Sequence, residues 1–112
     1  MPSQQSNLRI IPKTEIPIQN HHFATNKNSI WTPKLESIVK QYGLELNGTW
    51  NKQLLPHIGR HPNAYHNFVY QGMKRAALEA GGNQNRFLQL FNLYVKEPVI
   101  NNPQLLRGIG WK

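Results

Sequence analysis

Apolar residues recur with the three- and four-residue spacing of an α-helix in three parts of the chain. The first helix is predicted to begin at Thr32-Pro33, with Thr32 as the N-cap, and to end at Gly43. The second opens at Pro62 and stops at Gly81-Gly82. The third covers 84–96, because the proline that follows cannot continue a helix. The predicted buried faces are Leu35, Ile38, Val39 and Tyr42; Tyr65, Phe68, Val69, Met73, Ala76 and Ala77; and Phe87, Leu88, Phe91 and Tyr94.

Two other stretches are predicted to be extended. Residues 16–24 form a short strand that runs into His21-His22, and residues 50–58 form a second strand after the Asn47-Gly48 turn. A further turn is predicted at 26–29, where Asn and Ser side chains can bond to their own backbone. The order strand, helix, strand, helix, helix predicts a small α+β domain.

The two ends of the chain differ from this central part. Residues 1–19 are polar and contain three prolines, which predicts an extended N-terminal arm before a folded domain at 20–112. The tail at 99–112 is predicted to be a loop or a short helix, with Trp111 packed against the domain. A chain of 112 residues and 13.0 kDa suits one domain with one modest core.

Charge restricts the class of partner. Thirteen Lys and Arg against five Glu give a net charge of +8 and a pI near 10.1. A dispersed excess of this size favours a polyanion, either nucleic acid or an acidic protein, although a basic surface without a specific ligand has the same composition. No apolar run reaches the roughly 18 residues of a membrane span, so we expect neither a membrane anchor nor a signal peptide in this chain.

The residue types restrict the chemistry further. The chain has no cysteine, which excludes disulfides and thiolate metal sites, and its acids are all glutamates that lie outside the histidine clusters. A mechanism with paired carboxylates is therefore not expected. All five histidines fall in two clusters, His21-His22 and the run 57–66. Because imidazole binds transition metals and transfers protons near neutral pH, the clusters predict one site formed by segments about forty residues apart.

The residues around these clusters resemble those of one nuclease family. The chain has His21-His22, then Asn51, and then Gly-Arg-His-Pro-Asn-Ala-Tyr-His at 59–66. In combination these elements are similar to those of the AHH family, which belongs to the HNH/endonuclease VII superfamily, over about residues 21–77. The resemblance implies a ββα-metal finger at about 16–80, in which two strands and a helix hold one divalent ion. The chain departs from the family's Ala-His-His at Asn20.

The same resemblance implies roles for single residues. His22 resembles the general base, and His21 resembles a metal ligand on the same strand. Asn51 takes the place of the central Asn that steadies the loop near the base, and we group it with the catalytic residues. His61 and His66 resemble the ligands from the helix end. His57 is a further candidate, either as a metal ligand or as a phosphate contact.

Basic residues and the metal complete the expected site. Arg60 lies inside the second cluster and is either a bidentate phosphate clamp or a solvated loop arginine. Lys27, Lys74 and Arg75 are candidates for contacts to a nucleic-acid backbone. Imidazole ligands favour Zn²⁺ or Ni²⁺, whereas Mg²⁺ or Mn²⁺ is an alternative for turnover.

The resemblance also implies a biological setting. It implies DNA cleavage without sequence preference, by the toxin domain of a bacterial polymorphic toxin or secretion-system effector. Such an effector acts in the cytoplasm of a target bacterium and is neutralised by an immunity protein, expected here to be acidic. Two alternatives remain: a module in which zinc is structural and nucleic acid is bound but not cleaved, and an RNase on the same scaffold. Histidines beyond a three-ligand set favour an enzyme, because a structural zinc site uses four ligands and no base.

Overall fold

The computed structural model describes residues 18–56, 61–107 and 111. Within them the order is β1 (Ile18–His22), α1 (Trp31–Val39), β2 (Lys52–Pro56), α2 (Asn63–Ala80), α3 (Gln84–Phe91) and α4 (Glu97–Asn101). Short 3₁₀ turns lie at Lys40–Tyr42, Thr49–Asn51 and Pro103–Leu106, and a π-helical turn lies at Asn92–Lys96. The α+β class and the order of elements predicted from the sequence are confirmed.

The sheet places the first histidine pair beside the second strand. β1 and β2 are antiparallel, with Ile18 opposite Pro56 and His22 opposite Lys52. Helix α1 lies between the two strands in sequence, and α2 follows β2. Two strands and the helix that follows therefore have the ββα order, with α1 inserted between the strands. Of the predicted N-terminal arm, Ile18 and Gln19 belong to β1, and residues 1–17 lie outside the described part of the chain.

Helix α1 begins two residues earlier than predicted, so Ile30 and not Thr32 is its N-cap. The side-chain oxygen of Asn28 accepts hydrogen bonds from the N–H groups of Ile30 and Trp31, both at 2.9 Å, and so satisfies donors of the first turn. The hydroxyl of Thr32 donates instead to the carbonyl of Thr25. The predicted end at Gly43 is confirmed, because this residue has the left-handed φ of 68° that glycine adopts without strain.

Strand β2 is shorter than predicted at its start. Trp50 and Asn51, assigned to a strand from the sequence, lie in the 3₁₀ turn Thr49–Asn51 that follows the confirmed Asn47-Gly48 turn. The turn is fixed by the Trp50 indole N–H, which donates to the carbonyl of Glu45 at 2.9 Å. This geometry turns the side chain of Asn51 into the core, where it is fully buried.

Helix α2 is the central element of the core. It packs on α1, on α3 and on the π-helical turn. The predicted stop at Gly81 is confirmed, with a left-handed Gly81 at the end, whereas the helix starts one residue later than predicted, at Asn63, with Pro62 as the N-cap. Its buried face differs from the prediction at four positions: Phe68 and Ala77 are half-buried, whereas His66 and Ala80 are buried. Its buried residues are Tyr65, His66, Val69, Met73, Ala76 and Ala80.

The third helix continues past its predicted end. A π-helical turn at Asn92–Lys96 leads directly into α4, so Pro98 lies inside a helical segment, in its first turn. The N–H of Glu97 bonds to the carbonyl of Asn92, five residues back. In a regular α-helix the ring of Pro98 would clash with the carbonyl four residues earlier. The wider π-helical turn lies at this position, which explains how the helix passes a proline.

The C-terminal part packs back on the domain. Leu106 is fully buried, and the indole of Trp111 donates to the carbonyl of Leu105 at 2.8 Å and contacts Phe68, with 5.9 Å between ring centres. The predicted packing of Trp111 against the domain is confirmed. None of the described helices has the length and apolar character needed to cross a bilayer.

Candidate functional site

The end of β1 and the start of α2 meet at a pocket of about 640 Å³. His21, from the strand, and His61 and His66, from the helix start, all line it. Lys27 and Asn28, from the loop after β1, line the same pocket. The structure therefore brings together three histidines from the two sequence clusters.

The rings of these histidines lie close to one another. The ring centres of His21 and His61 are 5.8 Å apart, and those of His61 and His66 are 6.1 Å apart. Nδ1 of His61 lies 3.2 Å from the carbonyl oxygen of Leu106. Because a carbonyl only accepts, Nδ1 carries the proton in this hydrogen bond, and when the ring is neutral its lone pair lies on Nε2. A backbone carbonyl that fixes the tautomer in this way is a common support for a metal-binding histidine.

His66 is the most enclosed of the three. It is 6% exposed, and its buried Nδ1 has no hydrogen-bond partner among the described residues. Burial lowers the pKa of His66 below its usual value, and the neighbouring charge of His61 lowers this pKa further. A buried nitrogen that is neutral at pH 7 and lacks a partner is costly unless another group bonds to it. A metal ion is such a group.

The three histidines suit a divalent ion in ligand type, but their rings are farther apart than the rings of histidines bound to one ion. Two imidazoles on a tetrahedral zinc ion have ring centres roughly 5 Å apart, given a Zn–N bond near 2.0 Å. The observed separations of 5.8 and 6.1 Å are longer. Within the described ranges, no group of three His, Cys, Asp or Glu side chains is arranged so that it could hold a metal ion. Each of these two ring pairs would have to close by about 1 Å to reach the separation found at a shared zinc ion.

His22 occupies a different position from its neighbour. Side chains alternate between the faces of a strand, and His22 contacts Asn47 whereas His21 lines the pocket. Nε2–H of His22 donates to the side-chain oxygen of Asn47 at 3.1 Å. When Nε2 carries the proton of the neutral ring, Nδ1 is the nitrogen with a lone pair and is the one that can accept a proton.

Two buried side chains hold the segment that follows His22. The amide of Asn51 accepts from the N–H of Ala24 and donates to the carbonyls of Ala24 and Leu46, each at 2.8 Å. The hydroxyl of Tyr65 donates to the carbonyl of Phe23 at 2.7 Å. Burial raises the pKa of Tyr65, so this hydroxyl keeps its proton at neutral pH. Asn51 thus steadies the loop through backbone contacts, the structural part of the role that the resemblance implies.

The remaining predicted residues are divided among three places. Lys27 lies at the pocket, whereas Lys74 and Arg75 are farther along α2 and do not line it. Arg75 pairs with Glu79 at 3.0 Å and lies over the ring of Tyr94. His57 and Arg60 lie outside the described residues.

Sequence reasoning missed three residues at this site. Asn47 bonds to His22, Tyr65 bonds beside it, and the ring of Trp31 lies 6.2 Å from that of His66. The sequence predicts a turn at Asn47 and a core position for Tyr65 within the family motif, but no site contact for either residue. Their partners lie 25 and 42 residues away in sequence, so no local pattern reports these contacts.

A protein-family model matches most of the chain. The model of the AHH family, described as a nuclease family of the HNH/ENDO VII superfamily with conserved AHH, matches residues 9–95, which is more than half of the chain. The chain belongs to the AHH family. It is therefore a nuclease by family, and nucleases of the HNH/ENDO VII superfamily generally use a divalent metal. No curated protein and no solved structure gave a match. The AHH match stops before Leu106, whose carbonyl orients His61.

Proposed function

We propose that this AHH protein is a metal-dependent endonuclease that hydrolyses DNA phosphodiester bonds without sequence preference. The observation that carries the proposal is the meeting of His21, His61 and His66 at one pocket, next to a strand position where the Nε2 of His22 is held by Asn47. A nuclease needs a site that binds an ion and a separate group that accepts a proton, and these two sets of imidazoles meet both needs.

His21, His61 and His66 would hold one divalent ion. When bound there, the ion would stabilise the negative charge that develops on the phosphate and on the leaving oxygen. The nitrogen ligands favour Zn²⁺ or Ni²⁺, with Mg²⁺ or Mn²⁺ as alternatives for turnover. The neutral His66 and the tautomer of His61 set by Leu106 both suit metal ligation.

His22 would act as the general base. Its Nε2–H is engaged by Asn47, so Nδ1 takes the proton of the attacking water. Asn51 and Tyr65 keep the backbone after His22 in place and thereby position its ring. Lys27, at the pocket rim, pairs with a phosphate of the substrate. Arg60, which belongs to the same sequence cluster, is a second candidate for this pairing.

The biological setting is proposed from the family resemblance and from charge. We infer that the domain is an antibacterial toxin that acts in the cytoplasm of a target bacterium. Its partner would be an acidic immunity protein that covers the pocket, since a chain with a net charge of +8 attracts an acidic surface. Expression in a bacterium should stop growth, and His22→Ala should remove this effect. Growth arrest by the variant equal to that of the wild type would contradict the proposal.

Cleavage of supercoiled plasmid tests the activity directly. The protein is incubated with plasmid and Zn²⁺, Ni²⁺, Mg²⁺ or Mn²⁺, with and without EDTA. We expect nicked and linear products that EDTA prevents, and a roughly 10²–10⁴-fold lower rate for His22→Ala. Lys40→Ala, an exposed residue on another surface, is the control and should cut at the wild-type rate.

The same assay separates the alternatives. Intact plasmid and intact RNA with every metal would contradict the nuclease proposal and favour a binding module. Degraded RNA beside intact DNA would show that the substrate is RNA. Full activity of His22→Ala would contradict the assignment of His22 as the general base.

Metal binding tests the proposed ligands. His61→Ala should weaken Zn²⁺ binding in calorimetry, and an unchanged affinity would contradict the role of His61 as a ligand.

A further inference from the structure

A band of aromatic and cationic side chains adjoins the histidine pocket. It consists of Trp31 and Lys34 on α1 and Tyr70 and Lys74 on α2, and we refer to it as the aromatic band. The ring centre of Trp31 lies 6.2 Å from that of His66 and 6.0 Å from that of Tyr70. The band therefore begins at a histidine of the proposed site.

Helical spacing keeps the band on one surface. His66, Tyr70 and Lys74 follow one another at intervals of four residues on α2, so they lie on the same face of that helix. Trp31 and Lys34 are three residues apart on α1, which packs against α2. The two helices together form a path that leads away from the pocket.

The lysines lie over the aromatic rings. Nζ of Lys34 is 5.4 Å from the ring centre of Trp31 and 5.6 Å from that of Tyr70, and Nζ of Lys74 is 5.1 Å from that of Tyr70. Both lysines are exposed, whereas both rings are half-buried. An exposed cation–π contact is weaker than the stacking of a nucleobase on an aromatic side chain. A base can therefore displace the ammonium groups, which remain close enough to pair with the flanking phosphates.

Arg75, predicted from the sequence as a backbone contact, is placed differently. It is engaged by Glu79 and Tyr94 on another side of α2. Lys34, which the sequence pattern did not single out, lies in the band instead. Lys34 and Lys74 are thus interleaved with aromatic rings, the combination found in surfaces that bind single-stranded nucleic acid.

We propose that the aromatic band binds unpaired nucleotides of the substrate, with bases stacked on Trp31 and Tyr70 and phosphates paired with Lys34 and Lys74. This inference rests on the proposed nuclease function, since it places the strand beside the site that cuts it. Stacking needs an exposed base face, which a continuous duplex does not offer. The enzyme should accordingly bind single-stranded or locally unpaired substrate more tightly than duplex of the same sequence.

Binding without cleavage tests the band separately from the chemistry. Fluorescence anisotropy is measured in EDTA with a labelled 20-nucleotide strand and with its duplex, so that the result does not depend on activity. Tyr70→Leu keeps an apolar side chain at the helix interface and removes the stacking surface. We expect it to weaken binding of the single strand about 10-fold, and that of the duplex by less than about 2-fold. Tyr94→Leu, which removes a half-buried ring outside the band, is the matched control and should leave the ratio of the two affinities unchanged.

The salt dependence of binding tests the lysines. The double variant Lys34→Gln/Lys74→Gln should reduce the slope of log affinity against log salt for the single strand by about 1.4, the value for two lost phosphate contacts. Lys40→Gln/Arg86→Gln removes the same charge from exposed positions elsewhere and should change the slope by clearly less. Circular dichroism confirms that each variant is folded.

Two results would overturn the proposal. One is equal weakening of single strand and duplex by Tyr70→Leu, which would exclude stacking of unpaired bases. The other is unchanged binding of the single strand by Tyr70→Leu and by the double lysine variant. This result would show that the band does not bind nucleotides and would favour another ligand, such as an acidic protein. Failure of the plasmid assay with intact band binding would instead count against the catalytic proposal alone.

Discussion

Replacement of Asn51 by Ala is the most informative change to the structure around the site. The Asn51 side chain is fully buried and joins three backbone groups, the N–H and C=O of Ala24 and the C=O of Leu46, at 2.8 Å each. Ala cannot replace any of these bonds. The variant therefore leaves three buried polar groups without their partner, all close to the segment that carries His22.

The expected loss of stability is large for a domain of this size. A buried group that loses its partner costs about 1–3 kcal/mol, so three such groups cost about 3–9 kcal/mol, with the lower value applying if water enters the space. A domain of this length has a free energy of unfolding of roughly 6–15 kcal/mol. A loss of at least about 3 kcal/mol should lower Tm by roughly 10 °C or more.

Thermal and urea unfolding followed by circular dichroism measure the effect. Asn67→Ala is the matched control, because its side chain is exposed on α2 and accepts one hydrogen bond, from Gln71 at 3.3 Å. The control should change the free energy of unfolding by less than about 0.5 kcal/mol. If Asn51→Ala melted within about 2 °C of the wild type, the buried amide would not be the structural link described above.

Three further changes test a buried hydrogen bond, a helix contact and a backbone conformation of the fold. Tyr65→Phe removes the buried hydroxyl bond to Phe23 and should cost about 1–2 kcal/mol, read from the urea midpoint, while an unchanged midpoint would contradict the assignment. In Gly72→Ala the new Cβ would lie 2.9 Å from Cγ2 of Val95, so an overpacking cost of about 1–3 kcal/mol outweighs the gain in helix propensity of about 1 kcal/mol. A Tm above that of the wild type would refute this prediction. Gly43→Ala meets no atom within 4 Å but must adopt a φ of 68°, so calorimetry should show a loss of about 1–2 kcal/mol from backbone strain alone. Equal stability of this variant would show that the turn can relax.

Local patterns predicted much of the fold. The spacing of Leu35, Ile38 and Val39 identified a buried helix face, and Gly43 and Gly81 marked helix ends, because these features depend on residues within one or two turns. The pattern failed where a distant or unusual interaction decides the structure. The helix continues through Pro98 because a π-helical turn precedes it, and no sequence rule applied here anticipates that turn.

At the candidate site, too, local patterns were predictable from the sequence and long-range contacts were not. The clustering of the histidines and the motif around them predicted that His21, His61 and His66 belong together, and the structure places them at one pocket. The partners that set their chemistry could not be predicted. The carbonyl of Leu106 fixes the tautomer of His61 from 45 residues away, and Asn47 fixes that of His22 from 25 residues away. Such contacts follow from the complete tertiary structure rather than from any segment of the sequence.

The two-stranded sheet makes the site sensitive to local unfolding. β1 is paired with β2 over five residue positions, from Ile18 to His22, and a strand pair of this size has little stability of its own. Separation of β1 from β2 would carry His21 and His22 away from His61 and His66 while the packed helices stay folded. Hydrogen exchange at the strand amides should then report the fraction of molecules without an assembled site, well below the temperature at which the helical core melts.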